Sequence, residues 1–268
     1  LSFTRWGGLG PLEAAEYVGT ANYARMFADD DTFRTSLWVT IFYAVIAVPT
    51  GQLFALIAAM LLNMKVRGVS LYRAAWYLPS VLAGVGIAVL WQWVFKSDGG
   101  LMNQILTPIL GVFGFSTPAW FTMDAATWGV PAFAIMNLWL VGGSMLVYLA
   151  GLRNIPAEQY EAASIDGARW WRRFRNVTLP MLSPVILFNV IMAIIGSFQV
   201  FTQAFVMTGG GPGDDTRFYV LYLYNLAFDV YEMGYASALA WVLLIVILIL
   251  TALTLKVGGK KVYYEGMA

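Results

Sequence analysis

The amino-acid sequence predicts an all-α fold, a polytopic bundle of transmembrane helices. Three observations carry this. The 268-residue chain is 60% hydrophobic and only 12% charged, far outside the mix of a soluble globular domain. Five apolar runs reach the ~20 residues that a helix needs to cross a bilayer. The basic residues gather in the connections on one side of those runs, the charge asymmetry of a multi-pass membrane protein.

The elements follow in order. Residues 1–34 read as an external N-terminal segment. It starts at Leu1 and is polar and turn-rich, unlike a signal peptide, so a sixth span is expected upstream. Asp29, Asp30 and Asp31 lack the alternating spacing of a calcium loop and read as a solvated loop that caps a helix. The transmembrane domain is expected over 35–257, with spans at Thr35 to Leu62, Trp76 to Phe95, Ala126 to Leu152, Pro184 to Val206 and Tyr235 to Val257. Pro49, Pro79 and Pro131 fall in or near spans, where kinks are expected. Residues 99–124 are apolar but interrupted by Pro108, Gly111, Gly114 and Pro118, so short helices at the outer surface are predicted there. Residues 218–229 are aromatic-rich and short, as interfacial elements are. The glycine-rich "TGGGPGDDT" (208–216) lacks the Gly-Lys-Ser/Thr ending of a nucleotide-binding loop and reads as a turn that ends a helix. A C-terminal tail occupies 258–268.

Charge fixes the expected orientation. Lys65, Arg67 and Arg73 share one connection, Arg153, Arg169, Arg172, Arg173 and Arg175 another, and Lys256, Lys260 and Lys261 end the chain; together they are most of its 16 basic residues. The acids of that side are few: Glu158, Glu161, Asp166 and Glu265. That side is therefore read as cytoplasmic.

The chemistry of the spans is defined by what they lack. The chain has no cysteine and no histidine, which removes disulfides, thiolate chemistry and the commonest general base and metal ligand. No Asp, Glu, Lys, Arg or His falls within the expected spans before Lys256, which disfavours a proton- or sodium-driven carrier and an intramembrane acid-base enzyme. No catalytic residue and no metal site are expected. The polar residues there are neutral: Gln52, Gln92, Asn137, Ser144, Asn189, Ser197, Gln199, Thr202 and Gln203, among Trp91, Trp93 and Trp139. Each can join helices by a hydrogen bond worth about 1 kcal/mol. As a group, amides and aromatic faces also suit a neutral, hydroxyl-rich ligand.

The connection 153–183 is the most informative segment. Ile155-Pro156 closes a span and Pro156 suits the first position of a new helix. Glu158 and Glu161 favour its N-terminal end, and Gly167 suits a left-handed cap. A second short helix is expected over Ala168 to Val177, with Leu179-Pro180 ending the loop. Ala162 and Ala163 present almost no side chain, so another protein can approach the backbone closely. A plain amphipathic interfacial loop is the simpler reading.

Glu161-Ala162-Ala163, three residues, Gly167, nine residues, Val177, then Leu179-Pro180 resembles the "EAA" signature of bacterial ABC importer permeases, with Val177 where the pattern has Ile. A partial copy at Glu13-Ala14-Ala15 and Gly19 lacks the Leu-Pro half. "YVGTANYARMF", "YRAAWYLPSVL", "PAWF", "NLWL", "TLPML" and "VMTGGGP" are similar, in order, to segments of the carbohydrate-importer class, the maltose type. The resemblance implies an ABC type I importer permease-like fold in a bacterial inner membrane and transport of a sugar or oligosaccharide by alternating access. Implied partners are a second homologous permease, a cytoplasmic ATPase dimer that carries the ATP and Mg, an external solute-binding protein, the carbohydrate and the lipid bilayer, with no nucleic acid and no cofactor in this chain. It further implies ATPase coupling through Glu161, Ala162, Ala163, Asp166, Gly167, Leu179 and Pro180, and cargo contact by Asn137, Trp139, Ser144, Ser197, Gln199 and Gln203. Two rival readings remain: a permease for a non-sugar cargo such as a glycerol phosphate or polyamine, and a carrier or channel that needs no ATPase. A dianionic cargo calls for Arg or Lys within reach, and an ATPase-independent carrier for intramembrane charge or an internal repeat.

Overall fold

In this computed structural model, residues 1–64, 67–82 and 84–259 are described. Lys65, Lys260, Lys261 and Glu265, used above to assign orientation, lie outside them, as does the expected tail from residue 260 onward. Two short strands, β1 (Thr4–Arg5) and β2 (Glu16–Tyr17), precede the helices α1 (Ala21–Ala28), α2 (Asp31–Leu62), α3 (Val69–Val81), α4 (Gly84–Val94), α5 (Leu101–Val112), α6 (Ala125–Trp139) and α7 (Gly142–Arg153). There follow α8 (Ala157–Ile165), α9 (Trp170–Arg173), α10 (Leu179–Ser197), α11 (Thr202–Met207), α12 (Tyr219–Tyr224) and α13 (Met233–Gly259), with π-helical turns at Phe174–Thr178 and Asn225–Asp229.

Among the described residues, three helices are long and apolar enough to cross a membrane: Asp31–Leu62, the continuous run Trp170–Ser197, and Met233–Gly259. The expected second and third spans are each two helices, α3 with α4 and α6 with α7, and counting each pair as one span gives five. The fourth span stops at Ser197, short of the expected Val206, and α11 restarts at Thr202. The chain divides into two compact units, Leu1–Ile46, Ala83–Met136 and Gly196–Leu248 forming the first, and Ala47–Leu82, Asn137–Ile195 and the chain from Ile249 the second.

The first unit is packed with rings. Tyr43, Phe218, Phe133, Phe121, Phe95 and Trp120 make successive contacts with centroids 5.0 to 5.7 Å apart, the spacing at which aromatic quadrupoles attract. Asp30 caps α2 by accepting the Phe33 N–H at 2.8 Å, a typical N-cap arrangement. Contrary to the expected solvated loop, Asp30 is buried, and its other oxygen accepts the hydroxyls of Tyr222 (2.6 Å) and Tyr235. α12 departs from the interfacial expectation too, since Tyr219, Leu221 and Tyr222 are buried and Tyr219 donates to Leu239 O at 2.9 Å. α5 runs through Pro108 as one helix, too short to span. Its buried Asn103 accepts from Trp120 Nε1 at 2.7 Å and donates to Pro118 O at 3.1 Å, which holds 97–120 as a folded segment.

The second unit is packed with small residues. Ala55, Ala58 and Ala59 of α2 are buried against Met145, Tyr148, Leu149 and Leu182. A Cβ on Gly142 would lie 2.6 Å from Trp76 O, and one on Gly151 2.8 Å from Leu182 Cδ2, so these glycines set how closely α3 and α10 approach α7. Such close backbone approach is how helices associate where lipid removes the hydrophobic driving force.

Candidate functional site

The segment 153–183 folds within the second unit. Pro156, with φ −58° and ψ 138°, is the N-cap of α8, one position earlier than the expected first helical residue. At the other end Gly167 takes φ +70°. Its N–H donates to Ser164 O at 3.1 Å and the Ala168 N–H reaches back to Ala163 O at 2.9 Å, the paired bonds of a left-handed C-cap. Glu161, Ala162, Ile165 and Asp166 form one exposed stripe of α8, with Ile165 87% exposed. Ile165 was not singled out in the sequence; its position four residues after Glu161 places it on that face. Ala163 is half-buried.

The opposite face of α8 is tied to the next helix. Tyr160 OH lies 3.1 Å from Thr178 Oγ1, and Arg173 Nη1 donates to Ser164 Oγ at 3.2 Å. Tyr160, Phe174, Val177 and Leu179 also pack on the buried cluster of Leu62, Leu152, Ile155 and Leu182.

The expected exit from the loop at Leu179-Pro180 is corrected by the structure. No break occurs there: the helix is continuous from Trp170 to Ser197. Proline has no N–H and its ring clashes with the carbonyl four residues back. The π-turn at Phe174–Thr178 removes the conflict by widening the ring, with Leu179 N–H bonded to Phe174 O five residues earlier. Leu179 and Pro180 therefore sit inside a continuous helix, and the second helix does not end at Val177.

The candidate cargo residues flank helix breaks. In the second unit, Trp139 ends α6 and Ser144 lies in the first turn of α7. Asn137 Nδ2 is 3.5 Å from Ala47 O, and a Cβ on Gly51 would meet that nitrogen at 2.9 Å, so Asn137 is seated against α2. Asn189 donates to Ser144 O at 3.3 Å, and Tyr148 OH to Gln52 Oε1 at 2.9 Å. In the first unit, Ser197 ends α10, Gln199 is exposed in the non-helical Phe198–Phe201 stretch, and Gln203 is in the first turn of α11. Gln92 donates to Met207 O at 3.1 Å, joining α4 to α11. Gln52, Gln92 and Asn189 thus join helices, whereas Gln199 and Gln203 flank unwound backbone. In a membrane such backbone is tolerated where it is buried in protein or lines a water-filled cavity.

Comparison with known proteins follows the same lines. Residues 51–257 match the family model described as the binding-protein-dependent transport system inner membrane component. A probable ABC transporter permease protein of Bacillus subtilis (strain 168), YesP, is 38% identical over 99% of this chain and 84% of its own. The lactose transport system permease protein LacF of Rhizobium radiobacter is 36% identical over 89% of this chain and 80% of its own. The arabinooligosaccharides transport system permease protein AraP of Bacillus subtilis (strain 168) is 33% identical over 91% and 77%. Among solved structures, a bacterial ABC transporter involved in the import of the acidic polysaccharide alginate superposes with a TM-score of 0.78 at 20% identity, covering 91% of this chain and 84% of that one. The chain belongs to the binding-protein-dependent transport system inner membrane components, and is a multi-pass permease subunit of an ABC importer.

Proposed function

We propose that this permease moves a neutral sugar or oligosaccharide into the cytoplasm and is driven by a separate ATPase that docks on α8. The observation that carries the coupling half is the exposed Glu161, Ala162, Ile165 and Asp166 stripe on a helix capped at Gly167 and tied to the continuous helix 170–197. An ATPase that closes on ATP pushes this stripe, and the push enters the membrane through one rigid rod. Rocking of packed bundles then alternates access to the cargo.

The cargo half is supported by neutral polar side chains at the helix breaks, Gln199 and Gln203 with Ser197 in one and Trp139 with Ser144 at the other, and by Asn137 behind the second. Relatives named for lactose and arabinooligosaccharides point the same way. A dianion such as a glycerol phosphate fits less well, because the expected spans offer it no cation before Lys256. Partners are a second permease, the ATPase pair with its ATP and Mg, and an external solute-binding protein; the chain itself carries no catalytic residue and no cofactor. The basic connections face the cytoplasm of a bacterial cell. The test is reconstitution with the cognate binding protein, ATPase and second permease. Uptake of a sugar retained by the binding protein, and loss of that uptake in Gln199→Ala and Gln203→Ala, supports the reading. Uptake of a glycerol phosphate or polyamine in its place overturns it.

A further inference from the structure

The first unit contains a cavity of about 310 Å³ where the N-terminal hairpin meets the start of α13, near the lower end of small-molecule sites at roughly 300–1,000 Å³. Glycines bring its walls together. A Cβ on Gly234 would fall 2.0 Å from Thr4 O, one on Gly7 3.0 Å from Tyr231 O, and the Gly234 N–H donates to Trp6 O at 3.0 Å. Asn22 fixes the hairpin from α1 by donating to Ser2 O at 2.9 Å and Thr4 O at 3.0 Å.

The lining combines ring faces with charges that are already balanced. Trp6, Tyr231 and Tyr235 contribute the rings. Arg5 pairs with Glu16 at 3.5 Å, and Arg25 pairs with Glu232 at 2.8 Å while its guanidinium lies 4.3 Å over the Tyr235 ring. Burial works against the Arg25 cation, but Glu232 together with Tyr235 and Tyr222 outweighs it and raises its pKa. An ionic ligand finds no uncompensated charge here. A polyol finds donors and acceptors side by side with flat apolar faces, the pairing that sugar rings require.

A further observation sets this cavity apart from a packing gap. Tyr231 has φ +61° and is the one non-glycine residue with positive φ among those described, a conformation that bulky residues adopt only where the surroundings enforce it and that clusters at ligand clamps.

We propose that this cavity is a second saccharide site on the extracytoplasmic face, separate from the polar residues of the helix breaks. It rests on the carbohydrate reading above. The site holds one sugar ring against Trp6 and Tyr231, with its hydroxyls on the Arg25 and Glu232 pair.

The test uses the assembled transporter in lipid nanodiscs without binding protein, probed by saturation-transfer NMR with lactose and arabinotriose. Saturation of ring protons of at least one sugar is expected, with Trp6→Ala and Tyr231→Gly each cutting the signal roughly five-fold or more. Tyr231→Gly removes the ring while relaxing the backbone, so its thermal midpoint should not fall and loss of signal cannot be assigned to unfolding. Unchanged signal in both variants overturns the proposal. So does absence of signal from wild type for a sugar whose uptake proceeds with binding protein present, and the carbohydrate reading then survives. Absence of both uptake and binding for either sugar, with uptake of a non-sugar cargo, overturns the two together.

Discussion

Two segments of this chain carry the same pattern, Glu-Ala-Ala, three intervening residues and Gly, and they fold differently. Glu161 to Gly167 lies on α8 and its C-cap. In Glu13 to Gly19, Leu12–Ala14 is a single 3-10 turn and Glu16–Tyr17 is β2, paired antiparallel with Thr4–Arg5. The glycines agree, with φ +70° at Gly167 and +57° at Gly19; the helix does not. Ala157 to Tyr160 supply a turn of helix formers ahead of Glu161, so the alanines extend a nucleus that already exists. Pro11 stands two residues before Glu13, and the aromatic and β-branched pair Tyr17-Val18 favours the strand. The pattern thus supplies a glycine turn in both places, and only its neighbours decide whether a docking helix precedes that turn.

Charge reversal is the largest lever on this contrast. Glu161→Lys places a cation in the exposed stripe proposed to meet the ATPase. A wrong charge at a docking contact costs about 2 kcal/mol or more, which is roughly thirty-fold in affinity. Cargo-stimulated ATPase activity and uptake are expected to fall accordingly, with the protein still in the membrane. Glu13→Lys, on an exposed turn, is a surface change worth about 0.5 kcal/mol or less, and uptake should stay within two-fold. Equal losses in the two variants, measured in the same reconstituted transporter, break the comparison.

The glycines sharpen it. Neither Gly19 nor Gly167 has a neighbour that an added Cβ would touch, so replacing either by alanine costs only the left-handed backbone, about 1–2 kcal/mol. Thermal unfolding should register both variants similarly. Coupling should register only one: Gly167→Ala shifts the end of α8 and lowers transport per ATP hydrolysed, whereas Gly19→Ala leaves that ratio unchanged. A ratio that follows stability alone removes the functional distinction between the two copies.

Much of this was legible in the sequence. Apolar length and charge placement are local and additive, so the membrane helices could be placed from them. The cap at Gly167 was legible because left-handed backbone is nearly a glycine property. Three features were not. Leu179-Pro180 reads as a stop, but a single π-turn shifts the hydrogen-bond register and lets the helix continue through proline. The interruptions after Trp139 and Ser197 lie inside the expected third and fourth spans, whose mean hydropathy carries no mark of them. Asp30 reads as a solvated aspartate because Tyr222 and Tyr235, which bury it, come from 192 and 205 residues away. Among the candidate cargo residues the sequence supplied the type of side chain, while the division into helix-joining amides and break-flanking amides needed coordinates.

The smallest effect separates the two copies by what lies behind them. The Glu13 copy is held by a two-residue ladder with β1 and by Asn22. The Glu161 copy is held sideways, by the 3.1 Å contact of Tyr160 OH with the buried hydroxyl of Thr178. Tyr160→Phe or Thr178→Val alone leaves one buried hydroxyl without its partner, a loss of about 1 to 2 kcal/mol. The double variant removes both polar groups, so it should cost less than the sum of the two, with a coupling energy of about 1 kcal/mol. Thr178→Ser keeps the hydroxyl and should retain both stability and transport per ATP. If α8 transmits motion as one body with helix 170–197, the single variants lower transport per ATP more than they lower stability, and the serine variant restores it. Strict additivity in the cycle would leave Tyr160 and Thr178 as neighbours without a shared function, and rigidity of α8 would then rest on the apolar packing of Phe174, Val177 and Leu179 alone.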